Sequence, residues 1–326
     1  MSRQRIFVTQ PIAESVIQRL RAVADVTVNP EATHVPDQAT LIEGVRNADI
    51  LFALLHDTVD KAVLAANPSL RAVTSMTITP DRIDVEEATS RGIIVTNIPA
   101  VVTDATADIN FAILLAVARN VVVGDKKFRA GMYPGSQANY FAGSAVSGKT
   151  LGIIGAGRIG QAVARRGRGF NMRIIYADPR RLPEDIEKEL QATQLPMDEV
   201  LKQADFVSLH PQLGPETRHL MSDAQFALMK PTAFVVNTSR GPVIEEAALV
   251  RALKANRIAG AALDVYEFEP KVSAELVAMD NVVLTPHLGS AVLELREGMA
   301  NIVADNAVAI IEGRRPPNCI NPEVLT

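Results

Sequence analysis

The stretch Leu151–Gly160, LGIIGAGRIG, decides the fold of this chain. It begins with a short apolar run, Leu151–Ile154, that is typical of a buried parallel strand, and a helical pattern follows its last glycine. A strand, a G-x-G-x-x-G turn and a helix in this order form the fingerprint of a dinucleotide-binding unit, because the glycines permit a tight turn, a close pyrophosphate and close helix packing. The helix N-terminus adds N–H groups for the phosphates. We therefore assign five residues to a dinucleotide site: Gly155, Gly157, Arg158, Ile159 and Gly160.

An acidic residue follows at the distance that this fingerprint requires. Asp178 comes directly after the predicted strand Arg173–Ala177, 18 residues past Gly160. An acid in this position accepts hydrogen bonds from the adenosine ribose hydroxyls and repels a 2′-phosphate. We therefore expect NAD as the cofactor. NADP stays open as an alternative, because Arg180 and Arg181 follow at once and can pair with the phosphate.

Apolar runs alternate with helical patterns along most of the chain, which indicates a parallel α/β architecture. Before the fingerprint, four runs are predicted strands: Arg5–Thr9, Ile50–Leu55, Arg71–Thr74 and Ile93–Thr96. From the fingerprint onward there are six: Leu151–Ile154, Arg173–Ala177, Asp205–Leu209, Phe234–Asn237, Gly260–Leu263 and Val282–Thr285. Six strands with helices between them fit one complete doubly wound sheet. Between the two sets, the pattern predicts one long apolar helix from Thr106 to about Phe128.

Length, charge and cysteine content exclude several classes of protein. The 326 residues suffice for about two domains, and the net charge of −4 predicts neither nucleic acid nor an anionic membrane as a partner. The most apolar stretch, Phe111–Val123, contains Arg119 and Asn120 and is too short to span a bilayer. The single cysteine, Cys319, allows neither a disulfide framework nor a cysteine zinc site, and we expect no metal. Without the apolar core of a signal peptide near the start of the sequence, we expect a cytoplasmic protein.

Polar side chains of three types follow three of the predicted strands. Arg240 follows Phe234–Asn237, Glu267 and Glu269 follow Gly260–Leu263, and His287 follows the strand that ends at Thr285. Ligands of such sheets bind beyond the carboxyl ends of the strands, so these side chains are candidates for chemistry. An arginine can hold a carboxylate and polarise a carbonyl, a histidine can transfer a proton, and a glutamate can orient that histidine and raise its pKa.

These runs closely resemble the D-isomer-specific 2-hydroxyacid dehydrogenase family. The resemblance is carried by Lys149–Gly160, Ser208–Pro211 with Glu216–Leu220, Val236–Gly241, Gly260–Pro270 and Thr285–Gly289. It implies that Arg240 binds and polarises the substrate, that Glu269 is the orienting acid and that His287 is the acid/base. It also implies that Asp264 contacts the nicotinamide amide. His210, for which a structural turn is an alternative, and Thr238 are assigned to the cofactor site as well.

The resemblance further implies the architecture and the assembly. We expect a Rossmann-type doubly wound sheet, residues 100–287, inserted into a smaller flavodoxin-like α/β domain, residues 1–99 plus 288–326, which binds the substrate. Members of the family are typically homodimers, joined through the long helix and the loop beyond it, and we expect the same here.

One segment departs from the family pattern. Where members carry a Gly-x-Gly loop that binds the substrate carboxylate, this chain has Met76, Thr77, Ile78 and Thr79. Threonine is strained at positive φ, so we expect a reshaped loop in which the Thr77 and Thr79 hydroxyls are the donors, and backbone N–H groups of the same loop are the alternative.

The sequence thus predicts an oxidoreductase that transfers hydride between nicotinamide and a small D-2-hydroxy acid or 2-oxo acid of the glyoxylate or hydroxypyruvate type. Oxidation of an oxyanion such as phosphite is an alternative within the same chemistry. A corepressor-like protein that senses NAD(H) is a further alternative, which the complete Arg, Glu and His set disfavours. The substrate itself and the direction of the reaction stay open.

Overall fold

The computed structural model describes residues 3–325, which form two compact units. Unit 1 comprises the residues up to Val101 together with those from Val292 onward, and unit 2 is Val102–Ala291. Each unit is built on a parallel sheet, which confirms the predicted α/β class of a Rossmann-type sheet inserted into a flavodoxin-like domain. Unit 2 begins two residues after the predicted start at 100 and ends four residues after the predicted end at 287.

Unit 1 has five parallel strands in the order β2-β1-β3-β4-β5, the flavodoxin-type order. The strands are β1 Arg5–Val8, β2 Asp25–Val28, β3 Ile50–Ala53, β4 Ala72–Ser75 and β5 Ile94–Thr96. The helices are α1 Glu14–Arg21, α2 Gln38–Val45, α3 Lys61–Ala65, α4 Val85–Ser90 and, after unit 2, α13 Leu293–Ile311.

Residues near the end of the chain complete the edge of this sheet at β5. Cys319 forms an antiparallel bridge with Thr96, and the Ile320 N–H donates to the Val95 carbonyl at 3.0 Å. The buried Asn321 side chain accepts from the Val95 N–H at 2.8 Å and donates to the Ile93 carbonyl at 2.9 Å. These bonds satisfy backbone groups that an open edge strand leaves unpaired.

Unit 2 has seven parallel strands in the order β12-β11-β10-β9-β6-β7-β8. The strands are β6 Thr150–Ile154, β7 Arg173–Ala177, β8 Ala192–Gln194, β9 Phe206–Leu209, β10 Phe234–Asn237, β11 Gly260–Leu263 and β12 Val282–Leu284. This is the Rossmann order with one additional strand, and the progression of the strand order reverses between β6 and β9, which are themselves parallel. Six of these strands were predicted, whereas β8 was not, because three residues at a sheet edge carry no apolar run.

The helices of unit 2 lie on both faces of its sheet. They are α5 Thr103–Ala118, α6 Val121–Arg129, α7 Arg158–Gly169, α8 Glu184–Leu190, α9 Met197–Gln203, α10 Asp223–Leu228, α11 Glu246–Lys254 and α12 Ala274–Val277. One apolar core packs α5 and α7 against the sheet, and a second packs α9, α10 and α11. Because strand side chains alternate between faces, Leu151 and Ile153 point into the first core and Ile154 into the second.

The single long helix predicted from Thr106 to about Phe128 is wrong. Two helices, α5 and α6, cover this stretch and are bent by 64°. Asn120 lies at the break with φ 56°, a left-handed conformation that asparagine adopts more readily than most residues. Within residues 3–325 no single helix is long and apolar enough to cross a membrane, and α5 with α6 meets that test only as this bent pair.

Candidate active site

The glycine-rich turn lies between β6 and α7, where the strand order reverses. Gly155 has φ +89°, and a Cβ there would lie 2.7 Å from the backbone of His210, so both conformation and space require glycine. A Cβ on Gly160 would lie 2.3 Å from the Gly155 oxygen. At Gly157, which caps α7, a Cβ would meet no atom within 4 Å. The fold therefore needs two of the glycines, and the third leaves open space beside the helix N-terminus, which fits a dinucleotide pyrophosphate.

Asp178 lies directly beside this turn. One carboxylate oxygen accepts from the Ala156 N–H and the other from the Arg180 N–H, each at 2.8 Å. The carboxylate thus ties the loop after β7 to the glycine-rich turn, which is where a ribose-binding acid is required. The first two residues of α7, Arg158 and Ile159, are exposed and half-buried.

A chain of polar side chains connects α5, β9 and the loop after β10. The Asn110 amide donates to the Thr238 hydroxyl at 2.9 Å, and the Ser208 hydroxyl donates to the Asn110 oxygen at 3.1 Å. His210 Nε2 lies 2.8 Å from the Ser208 hydroxyl oxygen. Because that hydroxyl donates its proton to Asn110, it accepts from Nε2–H of His210, and the other ring nitrogen, Nδ1, carries a lone pair. That Nδ1 is buried and has no partner among the residues the structure describes. Burial lowers the pKa of His210 to about 3, so the ring is neutral.

Sequence reasoning placed His210 and Thr238 at the cofactor site but missed the residue that joins them. Asn110 is fully buried, and it directly precedes the apolar run Phe111–Ala118 of the same helix. Since a buried amide requires partners, its position in that pattern was the signal that could have revealed the network.

Three neighbouring strands bring the predicted catalytic residues to one edge of the sheet. Asn237 at the end of β10 pairs with Leu263 on β11, which pairs with Leu284 on β12. Because all three strands are parallel and in register, their loops begin side by side. These loops carry Arg240, Glu269 and His287.

The Arg240 loop is held from both sides. The Asn237 side chain accepts from the Ser239 N–H and donates to the Arg240 carbonyl, both at 3.0 Å. A Cβ on Gly241 would lie 1.8 Å from the backbone carbonyl oxygen of Tyr266, so this loop packs against the loop after β11. Arg240 therefore projects from a braced backbone, with its own Nη1 donating to the Ser239 carbonyl at 2.9 Å.

Glu269 and His287 form the central pair of the site. His287 Nδ1 lies 3.3 Å from Glu269 Oε2, and the other carboxylate oxygen accepts from the Tyr266 N–H at 3.0 Å. The Glu269 side chain is 16% exposed and the His287 side chain 33% exposed, so the acid is sheltered while the ring stays accessible. His287 has φ 54°, so its loop holds it in a left-handed conformation.

Asp264 holds the loop that presents His287. Its buried carboxylate accepts from the Thr285 hydroxyl at 2.6 Å, from the Leu288 N–H at 2.6 Å and from the Gly289 N–H at 2.9 Å. Burial raises the pKa of Asp264. These bonds explain why unit 2 extends to Ala291 rather than to the predicted boundary at 287. The nicotinamide contact implied for Asp264 stays a prediction.

Glu267, the other acid in the loop after β11, contacts residues other than His287. Glu267 has a side chain that is only 6% exposed, and His219 Nε2 lies 2.6 Å from one of its oxygens. Its other oxygen accepts from the Glu246 N–H at 2.9 Å. The residues alone left Glu267 and Glu269 as alternatives, and the structure brings Glu269 to His287.

The candidate substrate loop, in unit 1, follows β4. Met76 is buried, while Thr77, Ile78 and Thr79 are half-buried, and none of these four has a positive φ. The Thr77 hydroxyl lies 2.7 Å from the Ser75 hydroxyl, and the Thr79 hydroxyl donates to Asp81 at 2.9 Å. The loop is thus free of the strain that a glycine-type geometry would impose on threonine. Because the Thr79 hydroxyl already donates its proton to Asp81, it is disfavoured as a hydrogen-bond donor to the substrate.

Comparison with known proteins identifies the chain at two levels. Residues 111–289 match the family model of the D-isomer specific 2-hydroxyacid dehydrogenase NAD binding domain. Over nearly its whole length the chain is 46% identical to the glyoxylate reductase of Thermococcus litoralis, with 99% of this chain and 98% of that protein covered. NAD is accordingly its cofactor.

Solved structures agree with this assignment. The TT0316 protein of Thermus thermophilus is 38% identical, with a TM-score of 0.88 over 97% of this chain and 99% of that chain. An NADPH-dependent glyoxylate/hydroxypyruvate reductase of Sinorhizobium meliloti, in complex with NADP and malonate, is 29% identical, with a TM-score of 0.82 over 98% of this chain and 97% of that chain. The chain therefore belongs to the D-isomer specific 2-hydroxyacid dehydrogenase family and is a dehydrogenase acting on CH–OH donors.

Proposed function

We propose that this dehydrogenase reduces a small 2-oxo acid of the glyoxylate or hydroxypyruvate type to the D-2-hydroxy acid, and catalyses the reverse reaction. The observation that carries the proposal is the Glu269–His287 pair, at 3.3 Å, formed by the loops after β11 and β12, with β11 adjacent to the strand whose loop carries Arg240. The relatives named as glyoxylate reductases support this substrate class.

Each of the three side chains has a distinct role in this proposal. NADH, when bound, supplies the hydride that the carbonyl carbon receives. Arg240 binds the substrate carboxylate and polarises the carbonyl. His287 gives a proton to the oxygen that becomes the hydroxyl, and Glu269 accepts from Nδ1–H, which orients the ring. In the oxidation, the ring takes the same proton back.

We propose that the cofactor site comprises the glycine-rich turn together with Asp178, His210, Thr238 and Asp264. The open space at Gly157 supports the pyrophosphate position, and the carboxylate beside the turn supports a preference for NAD over NADP. The buried lone pair of His210 Nδ1 suits a hydroxyl or amide donor rather than a phosphate.

We propose that Met76–Thr79 in unit 1 contributes to binding of the substrate carboxylate. The Ile78 N–H has no hydrogen-bond partner among residues 3–325, so it is a donor that a carboxylate could use. This proposal replaces the hydroxyl hypothesis with a backbone one. Thr79→Ala should then leave kcat/KM within about threefold of the wild type, and a loss of tenfold or more would restore the hydroxyl.

The central test replaces His287 by alanine and measures NADH oxidation with glyoxylate, hydroxypyruvate, pyruvate and, in reverse, phosphite with NAD. Turnover should fall by about 10²–10⁴, because proton transfer then depends on water, while the Kd of NADH stays near the wild-type value. His34→Ala, at an exposed histidine, is the control and should leave turnover unchanged. Full turnover in the His287 variant would remove this residue from the mechanism, and phosphite as the best substrate would overturn the proposed substrate class.

We also propose that the chain forms a homodimer through α6 and the residues after it. Val121, Val122, Phe128, Met132 and Tyr133 are large apolar side chains that are half or more exposed in this segment. Such a concentration of exposed apolar surface marks an interaction site. Sedimentation analysis should show a dimer for the wild type and a shift toward monomer for Phe128→Glu, and a wild-type monomer would refute the proposal.

A further inference from the structure

The loop between β7 and α8 carries two arginines, Arg180 and Arg181, which differ in their ion pairing. The guanidinium of Arg181 pairs with Glu187 through two nitrogens, with Nη2 at 2.9 Å and Nε at 3.1 Å and 3.2 Å from the carboxylate oxygens. Arg180 is exposed, and its guanidinium has no ion pair within the described residues 3–325. Both follow Asp178, the acid beside the glycine-rich turn, so both lie in the loop where a 2′-phosphate would be accepted or rejected.

The Glu187 carboxylate is fixed in place, although Arg181 is largely exposed. The Glu187 side chain is 11% exposed, and the hydroxyl of Tyr176 on β7 donates to its Oε1 at 2.5 Å. The same hydroxyl accepts from the Leu182 N–H at 2.9 Å, so one side chain holds both the carboxylate and the backbone next to Arg181. The Arg181 guanidinium, together with this hydroxyl, holds the pKa of Glu187 below its usual range. Glu187 is therefore ionised at neutral pH.

A bidentate pair uses the same donors that would hold a phosphate. Arginine recognises carboxylate and phosphate through the same fork of N–H groups, so a guanidinium bound to Glu187 has fewer donors for a 2′-phosphate. The fixed carboxylate, on α8, also adds a second negative charge beside the loop that contains Asp178. We infer that Glu187 is a specificity-determining residue that withholds Arg181 from a 2′-phosphate and thereby disfavours NADP(H). The inference rests on the dinucleotide site described above.

The experiment measures the Kd of NAD⁺ and NADP⁺ by calorimetry, without substrate, for the wild type and for Glu187→Gln. Glutamine keeps an oxygen for the Tyr176 hydroxyl but removes the charge. NADP⁺ affinity should rise about three- to tenfold, as expected for release of one largely exposed ion pair, while NAD⁺ affinity changes less than about twofold. Glu184→Gln is the matched control, since Glu184 lies on the same helix and forms an exposed pair with Lys188. It should change neither affinity by more than about twofold.

Arginine variants then identify which cation receives the phosphate. Arg181→Ala in the wild-type background should lower NADP⁺ affinity by less than about threefold, because the guanidinium is already withheld and only the uncompensated Glu187 charge is added. In the Glu187→Gln background the same change should abolish the gain. Arg180→Ala should weaken NADP⁺ binding in both backgrounds.

Three results would overturn the inference while leaving the cofactor site intact. These are an equal gain in Glu184→Gln, an equal change in NAD⁺ and NADP⁺ affinity in Glu187→Gln, and a loss of NADP⁺ affinity of more than about threefold in Arg181→Ala in the wild-type background. A wild type that binds NAD⁺ no better than a Gly155→Ala variant would instead refute the assigned dinucleotide site, and this inference with it. Because only binding is read, failure of the proposed substrate class affects none of these outcomes.

Discussion

Replacing Asp264 by alanine should loosen the loop that presents His287, and the loss can be worked out from the contacts. Three donors reach the carboxylate, but the Thr285 hydroxyl can turn to the Leu263 carbonyl, which lies 3.4 Å away. The N–H groups of Leu288 and Gly289 then have no acceptor. At about 1–3 kcal/mol for each unsatisfied buried N–H, the free energy of unfolding should fall by about 2–6 kcal/mol. Removing a buried charge whose pKa is raised offsets part of this, so we expect about 2–4 kcal/mol.

The assay combines urea unfolding, followed by circular dichroism, with hydrogen exchange of the backbone amides in residues 285–289. Asp264→Asn keeps one oxygen and should lose about 1–3 kcal/mol, and Thr285→Val, which removes only the hydroxyl bond, should lose less than about 1 kcal/mol. Exchange at Leu288 and Gly289 should accelerate in the order of these losses. The reasoning is refuted if Asp264→Ala unfolds at the wild-type urea concentration and its two amides exchange at the wild-type rate.

Three more predictions concern the glycine-rich turn and two buried titratable groups. Gly155→Ala should destabilise unit 2 by about 2 kcal/mol or more, because its Cβ would collide with backbone at φ +89°. Gly157→Ala should instead unfold like the wild type and, by calorimetry, bind NADH at least about tenfold more weakly. Equal losses of stability in the two variants would contradict this distinction. NADH affinity should show no titration from His210 between about pH 5 and pH 8, since its pKa of about 3 keeps it neutral, and a midpoint near 6.5 that His210→Gln removes would contradict this. Burial raises the pKa of Asp57, so the wild type loses stability as pH rises through that pKa. The free energy of unfolding of Asp57→Asn should therefore exceed that of the wild type by about 1 kcal/mol at pH 8 and equal it near pH 4. A difference that is independent of pH would exclude this cause.

Much of the architecture could be predicted because its determinants are local. The apolar run, the glycines and the helical pattern around Gly155 are contiguous, and each is a separate physical requirement of the same turn. The break at Asn120 was missed because apolar residues continue on both sides of it. Only two residues separate α5 from α6, and of these Asn120 alone has a left-handed backbone. The strand β8 was missed because an edge strand of three residues depends on its neighbour β7 rather than on its own composition.

The site was predictable where parallel strands end and less so where side chains meet through space. The strand ends placed Arg240 and His287 on neighbouring loops. The choice between Glu267 and Glu269 could not come from spacing, since both follow β11 within six residues and each finds a histidine in the fold. The partnership of Asn110 with Ser208 joins residues 98 positions apart, and no local pattern records such a contact.

The completion of β5 by Asn321 has a consequence for the order in which the two units can fold on the ribosome. Val95 emerges 226 residues before the asparagine that binds it, and α13, which packs on β4, is also synthesised after all of unit 2. At about 5–20 residues per second, the nascent first unit waits roughly 10–45 s for its last strand partner and helix. Unit 2 is continuous in the chain, so it can close on itself during that interval. The open β5 edge is then the surface most exposed to misassociation.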